Sequence, residues 1–333
     1  MISLEFPYSL GKPASRALLK GENQFFIVHE LLDFNPKGEG EHLYLQIETD
    51  GDNTQWVAEQ LALGFHKNSI DVGFCGRKDR NAITRQWFSI YDPQQTAARE
   101  LNTVFENLPN NTLLSRTRGS QKLRRGDHSG NKFEITLVLD DLMSDDIELR
   151  LQAIKHRGVP NYFGMQRFGR DGNNLAAFDT WRKFEESNQR TPRNGRRQRK
   201  PKGIILSAAR SYLFNCVLAQ RVLSGNWNQL VPGDVAIDGD PSGPLWGRGR
   251  SQTSNMALAI EDDALKPLQH WADSLEHLGL QQERRSFISR PDYLSWQFRE
   301  KLIIVNFNLP PGQYATSILR ELAVCYEPNR GTN

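Results

Sequence analysis

The 333-residue chain predicts an α+β protein: a mixed or antiparallel sheet with flanking helices, interrupted by an inserted α/β domain. Three observations predict it. Apolar residues alternate at period two in separated runs, helical patterns lie between them at irregular intervals, and strand patterning lapses mid-chain before returning near residue 301. Regular alternation of strand and helix would mark a doubly wound sheet instead.

The elements follow in order. HLYLQIET places Leu43, Leu45 and Ile47 on one face of a half-buried strand. TQWVAEQLALGF spaces Val57 and Leu61 four apart behind an Asn53/Thr54 cap and stops near Gly64, which predicts a helix. Apolar, strand-like residues flank the charged run at 76–86, and FEITLVL aligns Phe133, Ile135, Leu137 and Leu139. From 158 the pattern changes to a Gly/Pro/aromatic opening, GVPNYFGMQRFGR, a helix in ILSAARSYLFNCVLAQRVL and the loop-rich PGDVAIDGDPSGPLWGRGRS. Ile303, Val305, Phe307 and Leu309 then restore the strand period, and ATSILRELA puts Ala315, Ile318 and Leu322 on one helical stripe. This predicts a discontinuous domain, 1–157 with 289–333, holding an insertion at 158–288.

Hydrophobic residues at 38% and charged residues at 24% describe a globular chain with a substantial core. The N-terminus lacks a basic start followed by an apolar run, and no stretch of about 18 apolar residues occurs. These features predict a cytoplasmic protein without a membrane partner. The three cysteines, Cys75, Cys216 and Cys325, are far apart, so neither a disulfide framework nor a zinc site is predicted. The seven histidines are scattered without a matching ligand set, and no H-E-x-x-H, G-x-S-x-G, P-loop or dinucleotide fingerprint is present. Metal, NTP and NAD chemistry are therefore disfavoured.

Net charge is only +3, but its distribution is uneven. LSRTRGSQKLRR carries Arg116, Arg118, Lys122, Arg124 and Arg125, and SNQRTPRNGRRQRKPKG includes Arg196 and Arg197, with no acid in either run. Such clusters hold nucleic acid through its phosphates, or they form solvated loops. Within GRKDRNAITRQ a single carboxylate, Asp79, stands among Arg77, Lys78, Arg80 and Arg85. In an extended segment Asp79 and Arg77 point one way, and Lys78 and Arg80 the other. Nearby cations lower an aspartate's pKa below its reference of about 3.9, which suits a nucleophile. The same residues also describe a surface ion pair in a turn.

Six blocks in order carry a resemblance. A-L-L-K at 17–20, G-R-K-D-R-N-A-I-T-R-Q at 76–86, S-G-N-K-F at 129–133, G-V-P-N-Y-F-G-M-Q-R-F-G at 158–169, L-S-A-A-R-S at 206–211 and L-P-P-G-Q-Y-A-T-S-I-L-R-E-L at 309–322 resemble the TruD family of tRNA pseudouridine synthases. The resemblance implies a pseudouridine synthase fold carrying a family-specific insertion, and isomerisation of uridine 13 in tRNA without metal, nucleotide or other cofactor. It also implies roles. Asp79 falls on the catalytic aspartate, attacking the nucleotide at ribose C1′ while uracil detaches, turns and rejoins through C5. Lys20 falls on a lysine that keeps Asp79 ionised. Phe26, Asn131, Phe133 and Tyr314 fall on substrate-pocket positions, Tyr314 where the family commonly has Phe. A stacked uridine has to be flipped out, and the basic runs then grip tRNA backbone. The competing readings are a non-catalytic RNA-binding protein on the same surfaces, and glycosidic hydrolysis by the same carboxylate, for which no acid/base partner is apparent.

Overall fold

A computed structural model of the protein describes residues 2–33, 38–141, 145–188 and 203–328. The chain divides into two compact units, each assembled from separated pieces: Ala14–Ile147 with Pro291–Gly312 and Ala323–Asn333, and Met1–Pro13 with Glu148–Arg290 and Gln313–Leu322.

The first unit is built on one sheet. Its strands are β1 (Arg16–Leu18), β2 (Phe26–Leu32), β3 (His42–Asp50), β4 (Val72–Phe74), β5 (Ile83–Tyr91), β6 (Asn111–Gly119), β7 (His128–Leu139), β8 (Asp292–Arg299), β9 (Leu302–Leu309) and β10 (Val324–Tyr326). The main path runs β8-β9-β7-β2-β5-β3-β6, with β4 on β5, and β1 pairing both β7 and β10. β2 runs parallel to β5 and β1 to β10, while the other pairings are antiparallel. The sheet is mixed, as the irregular alternation predicted.

Helix α1 (Thr54–Gly64) begins where the Asn53 side chain accepts the Trp56 N–H at 2.9 Å, satisfying one donor of the first turn. Its Val57 and Leu61 pack with Leu43, Leu45 and Ile47 of β3 and Phe88 of β5, joined by Leu101 and Val104 of α2 (Leu101–Glu106). Burying each such side chain contributes about 1.5–3 kcal/mol. The predicted stripe of β7 is also buried: Phe133, Ile135, Leu137 and Leu139. Just before it, a Cβ on Gly130 would meet the Leu309 carbonyl oxygen at 2.5 Å, so β9 closes on β7 there only over a glycine.

In the second unit are α3 (Asp145–Arg157, whose Asp145–Ile147 group with the first unit), α4 (Asn173–Asn188), α5 (Gly203–Leu223), α6 (Asn255–Leu265), α7 (Gln269–Glu276) and α8 (Ala315–Leu322). The predicted helix in ILSAARSYLFNCVLAQRVL is α5, whose Leu213, Phe214 and Leu218 join Phe163, Phe168, Phe178, Trp271 and Phe287 in a core. Ala236–Ile237, Asp240–Leu245 and Glu283–Ser286 form a small sheet, and Val159–Pro160 pairs with Ile288–Ser289. The Arg150 guanidinium of α3 donates to the carbonyls of Leu10, Gly11 and Glu321. The N-terminal piece, Glu148 onward in α3, and α8 group with this unit. Among the described residues no helix is long and apolar enough to cross a membrane.

Candidate active site

Asp79 lies in the non-regular segment 75–82 between β4 and β5. Its Oδ2 sits 2.5 Å from Lys20 Nζ, and its Oδ1 accepts the Asn81 N–H at 3.0 Å. The carboxylate side chain is 30% exposed and the lysine 9%, so the acid faces outward while its partner is largely enclosed. Burial pushes the Asp79 pKa up, but the Lys20 hydrogen bond and charge, the Asn81 N–H and Arg80 outweigh it. The net effect holds the carboxyl below its ordinary range.

Lys20 follows β1, where the Leu19 N–H is tied to the Tyr326 carbonyl of β10 at 2.8 Å. Its φ of 56° is in the left-handed region, which costs a non-glycine residue about 1–3 kcal/mol. Contacts that hold it there include Asp79, Glu327 at 3.4 Å, and the Phe26 ring, whose centroid lies 4.9 Å from Nζ.

The neighbouring cations divide. Arg80 bears on Asp79, whereas Lys78 turns the other way and binds Glu30 of β2 at 2.7 Å, with 7% and 0% of the two side chains exposed. Arg85 binds Glu48 of β3 at 2.6 Å. The charge beside the acid therefore comes chiefly from Lys20, remote in sequence, and not from the basic run around it.

Phe26 continues the site. Its ring meets Phe133 edge-on at 6.2 Å, and Phe133 stacks on Phe307 at 5.3 Å, so three strands, β2, β7 and β9, present one aromatic row. Asn131 precedes Phe133 by two and shares its face of β7, opposite Glu30 of β2 and Leu309 of β9. The Asn131 Oδ1 is buried without a hydrogen-bond partner among the described residues. An orphaned acceptor costs free energy until a donor meets it.

Lys20, Asp79, Phe26, Asn131 and Phe133 thus all belong to the first unit, with ion-pair and ring contacts linking Asp79, Lys20, Phe26 and Phe133. Tyr314 belongs to the second, just before α8, with its ring 6.0 Å from that of Phe163 and from the Arg285 guanidinium. Arg285 also lies 4.2 Å from the Phe163 ring, and burial, opposed by Tyr314 and reinforced by Arg167, lowers its pKa to about 10.

Of the first basic run, Arg116, Arg124 and Arg125 are exposed. Arg118 is engaged: it pairs with buried Asp92 at 3.3 Å and donates to the Gly40 carbonyl at 2.9 Å. Lys122 Nζ donates to the Ile70 carbonyl. Arg196 and Arg197 lie outside the described residues. Among the described residues no group of three His, Cys, Asp or Glu is placed to hold a metal ion. Sequence reasoning missed Glu30, Thr54 and Gln86 beneath the Asp79 segment, since no local motif marks residues brought in from three other elements.

Comparison with known proteins gives concordant results. The family model described as tRNA pseudouridine synthase D (TruD) matches residues 5–175. Relatives named tRNA pseudouridine synthase D include one from Cellvibrio japonicus, 43% identical over 96% of this chain and 93% of its own. Another from Hydrogenovibrio crunogenus is 38% identical over 95% of each, and one from Aeromonas hydrophila is 37% identical over 98% and 96%. A crystal structure from Methanosarcina mazei, assigned to tRNA pseudouridine synthase D (TruD), superposes with a TM-score of 0.71 over 95% of both chains at 19% identity, which shows a common fold.

Proposed function

Since this chain belongs to the TruD family of tRNA pseudouridine synthases, we propose that it isomerises uridine 13 of tRNA to pseudouridine with Asp79 as the nucleophile. The observation that carries the residue assignment is the Lys20–Asp79 pair beside the Phe26–Phe133 row. An ionised carboxylate, an aromatic surface and an unpaired acceptor are the groups such a reaction requires.

The chemistry balances without a co-reactant. An Asp79 oxygen forms a bond to ribose C1′ as the C1′–N1 bond breaks, its electron pair leaving with uracil. The base turns, C5 bonds to C1′, and the carboxylate departs with its own pair. Loss of the C5 proton and protonation of N1 then complete an isomer of the starting nucleotide. Retaining glycosidases place the same demand on a carboxylate at an anomeric carbon, but here the leaving group has to stay in place.

The pocket residues divide the remaining work. Phe133 stacks on the flipped uracil, Phe26 packs against the nucleotide, and the Asn131 Oδ1 accepts the uracil N3–H. Tyr314, which the resemblance sets at a substrate-pocket position, carries a hydroxyl that needs a partner of its own. Arg116, Arg124 and Arg125 grip tRNA phosphates, while Arg118 and Lys122 do so only by leaving their internal partners.

The test is incubation of purified protein with unmodified tRNA, free of metal and nucleotide, followed by chemical mapping of pseudouridine, alongside Asp79→Asn. Binding without product by the wild-type protein would support an RNA-binding module instead. Equal activity in Asp79→Asn would remove Asp79 from the nucleophile's role.

A further inference from the structure

The segment carrying Asp79 has no regular secondary structure of its own from 75 to 82, so its position has to come from elsewhere. Thr54, the first residue of α1, and Gln86 of β5 lie beneath it, both almost fully buried. The Lys78 N–H donates to Thr54 Oγ1 at 2.8 Å, Thr54 Oγ1 donates to Gln86 Oε1 at 2.8 Å, and Gln86 Nε2 donates to the Gly76 carbonyl at 2.9 Å. These three bonds close a ring through the backbone from Gly76 to Lys78. A fourth fixture holds the Lys78 side chain on Glu30, whose other oxygen accepts the Trp87 N–H at 3.2 Å.

We infer that Thr54 and Gln86, with the Lys78–Glu30 pair, form a clamp that positions Asp79 for attack on its substrate. They are positioning residues. Asp79 follows Lys78 directly, one peptide of about 3.8 Å away, so fixing Gly76 O, Lys78 N and the Lys78 side chain leaves the Asp79 Cα little freedom. With the backbone so fixed, the Lys78 side chain goes inward to Glu30 while Asp79 faces Lys20. The clamp's polar groups are paired with one another, so it needs no solvent and stays rigid when the site is dry. A displacement of about 1 Å at a reacting atom costs on the order of a hundredfold in rate, which is the scale on which the clamp acts.

This inference rests on the reading of Asp79 as nucleophile, and the experiment separates the two. Thr54→Val keeps the shape and removes the hydroxyl, Thr54→Ser keeps the hydroxyl, and Gln86→Met removes the donor to Gly76 at similar length. The first readout is amide exchange of the Lys78 N–H in the unliganded protein. It is expected to quicken about tenfold or more in Thr54→Val and to return near the wild-type rate in Thr54→Ser. The second is single-turnover pseudouridine formation against tRNA affinity: Thr54→Val and Gln86→Met are expected to lose about tenfold or more in rate with Kd within about twofold, and Thr54→Ser to recover the rate. Exchange at the wild-type rate in Thr54→Val overturns the clamp. So does a rate in Thr54→Val equal to wild type, a Thr54→Ser variant as slow as Thr54→Val, or a loss of affinity matching the loss of rate. A wild-type protein that forms no product overturns the proposed function, and the exchange measurement alone then decides the clamp.

Discussion

Lys20 Nζ lies 2.5 Å from Asp79 Oδ2, although the two residues are 59 positions apart. The lysine is the more enclosed partner, so the pair presents the carboxylate outward and keeps its counter-charge behind. Removing Lys20 takes away the strongest influences that oppose burial at Asp79 and leaves the Asn81 N–H and Arg80. Lys20→Met is therefore expected to move the acid limb of the single-turnover rate upward in pH. The sign follows from ionisation: with its pKa held low, wild-type Asp79 stays charged until pH falls below the ordinary carboxylate range, and in the variant it protonates sooner. An acid limb that stays in place would assign the lysine to structure alone.

Asp79→Asn preserves shape and removes the proposed nucleophile. Product formation is expected to fall roughly ten-thousand-fold or more, the scale on which loss of a nucleophile is felt in enzymes that form covalent intermediates. Affinity for tRNA, measured by filter binding, is expected to stay within a few-fold, because phosphate contacts supply most of it. Lys20 retains Glu327 at 3.4 Å, so its charge is not left alone.

Asn131 separates function from stability. Its unpaired Oδ1 already carries a desolvation cost in the free protein, so Asn131→Ala is expected to leave the melting temperature unchanged or raise it. On the proposed role, loss of the acceptor leaves a bound uracil N3–H unpaired, with an expected cost of about 1–3 kcal/mol, or roughly 5- to 150-fold in kcat/KM. A drop in melting temperature with unchanged kcat/KM would return Asn131 to an ordinary strand residue.

The strands and helices that positioned these groups were largely legible. The stripes of β3, β7 and β9 follow period two, and α1 starts at the cap its sequence announces. Lys78 and Asp79 also meet different partners, Glu30 and Lys20, in keeping with the opposite directions the sequence predicts for them. What local sequence cannot carry is which distant residue each side chain meets. Arg85, read among the cations around Asp79, belongs with Glu48 because β5 pairs with β3. Lys20 reached the site reading through family resemblance, and Thr54, Gln86 and Glu30 had no local signal, since their roles depend on three elements converging beneath one segment. The strands at 159–160, 236–237 and 288–289 are too short to show a period.

Exposed arginines offer a salt-dependent test. Arg124 and Arg125 are exposed beyond β6, so Arg124→Gln with Arg125→Gln is expected to weaken tRNA binding. The slope of log Kd against log salt is expected to flatten by about 0.7–0.9 for each phosphate that is no longer neutralised. Arg118→Gln is expected to act differently, lowering stability because buried Asp92 loses its nearer cation and keeps only Lys67 at 3.9 Å among its ion-pair partners in the described residues. Titrations at several salt concentrations with thermal melts distinguish them, and an unchanged slope in the double variant would make that run a solvated loop.

Phe133 joins the aromatic row to the core, and two substitutions separate the roles. It contacts Phe26 edge-on and stacks on Phe307 with 8% of the residue exposed, so Phe133→Ala is expected to destabilise by about 3–5 kcal/mol in urea unfolding. Phe133→Leu retains most of the apolar volume and is expected to cost about 1.5 kcal/mol or less, yet it removes the flat face proposed to stack on uracil. Base–aromatic stacking contributes about 1–3 kcal/mol per base, so the Leu variant is expected to lose roughly 5- to 150-fold in kcat/KM while remaining folded. Phe133→Leu with wild-type kcat/KM would confine the ring to packing.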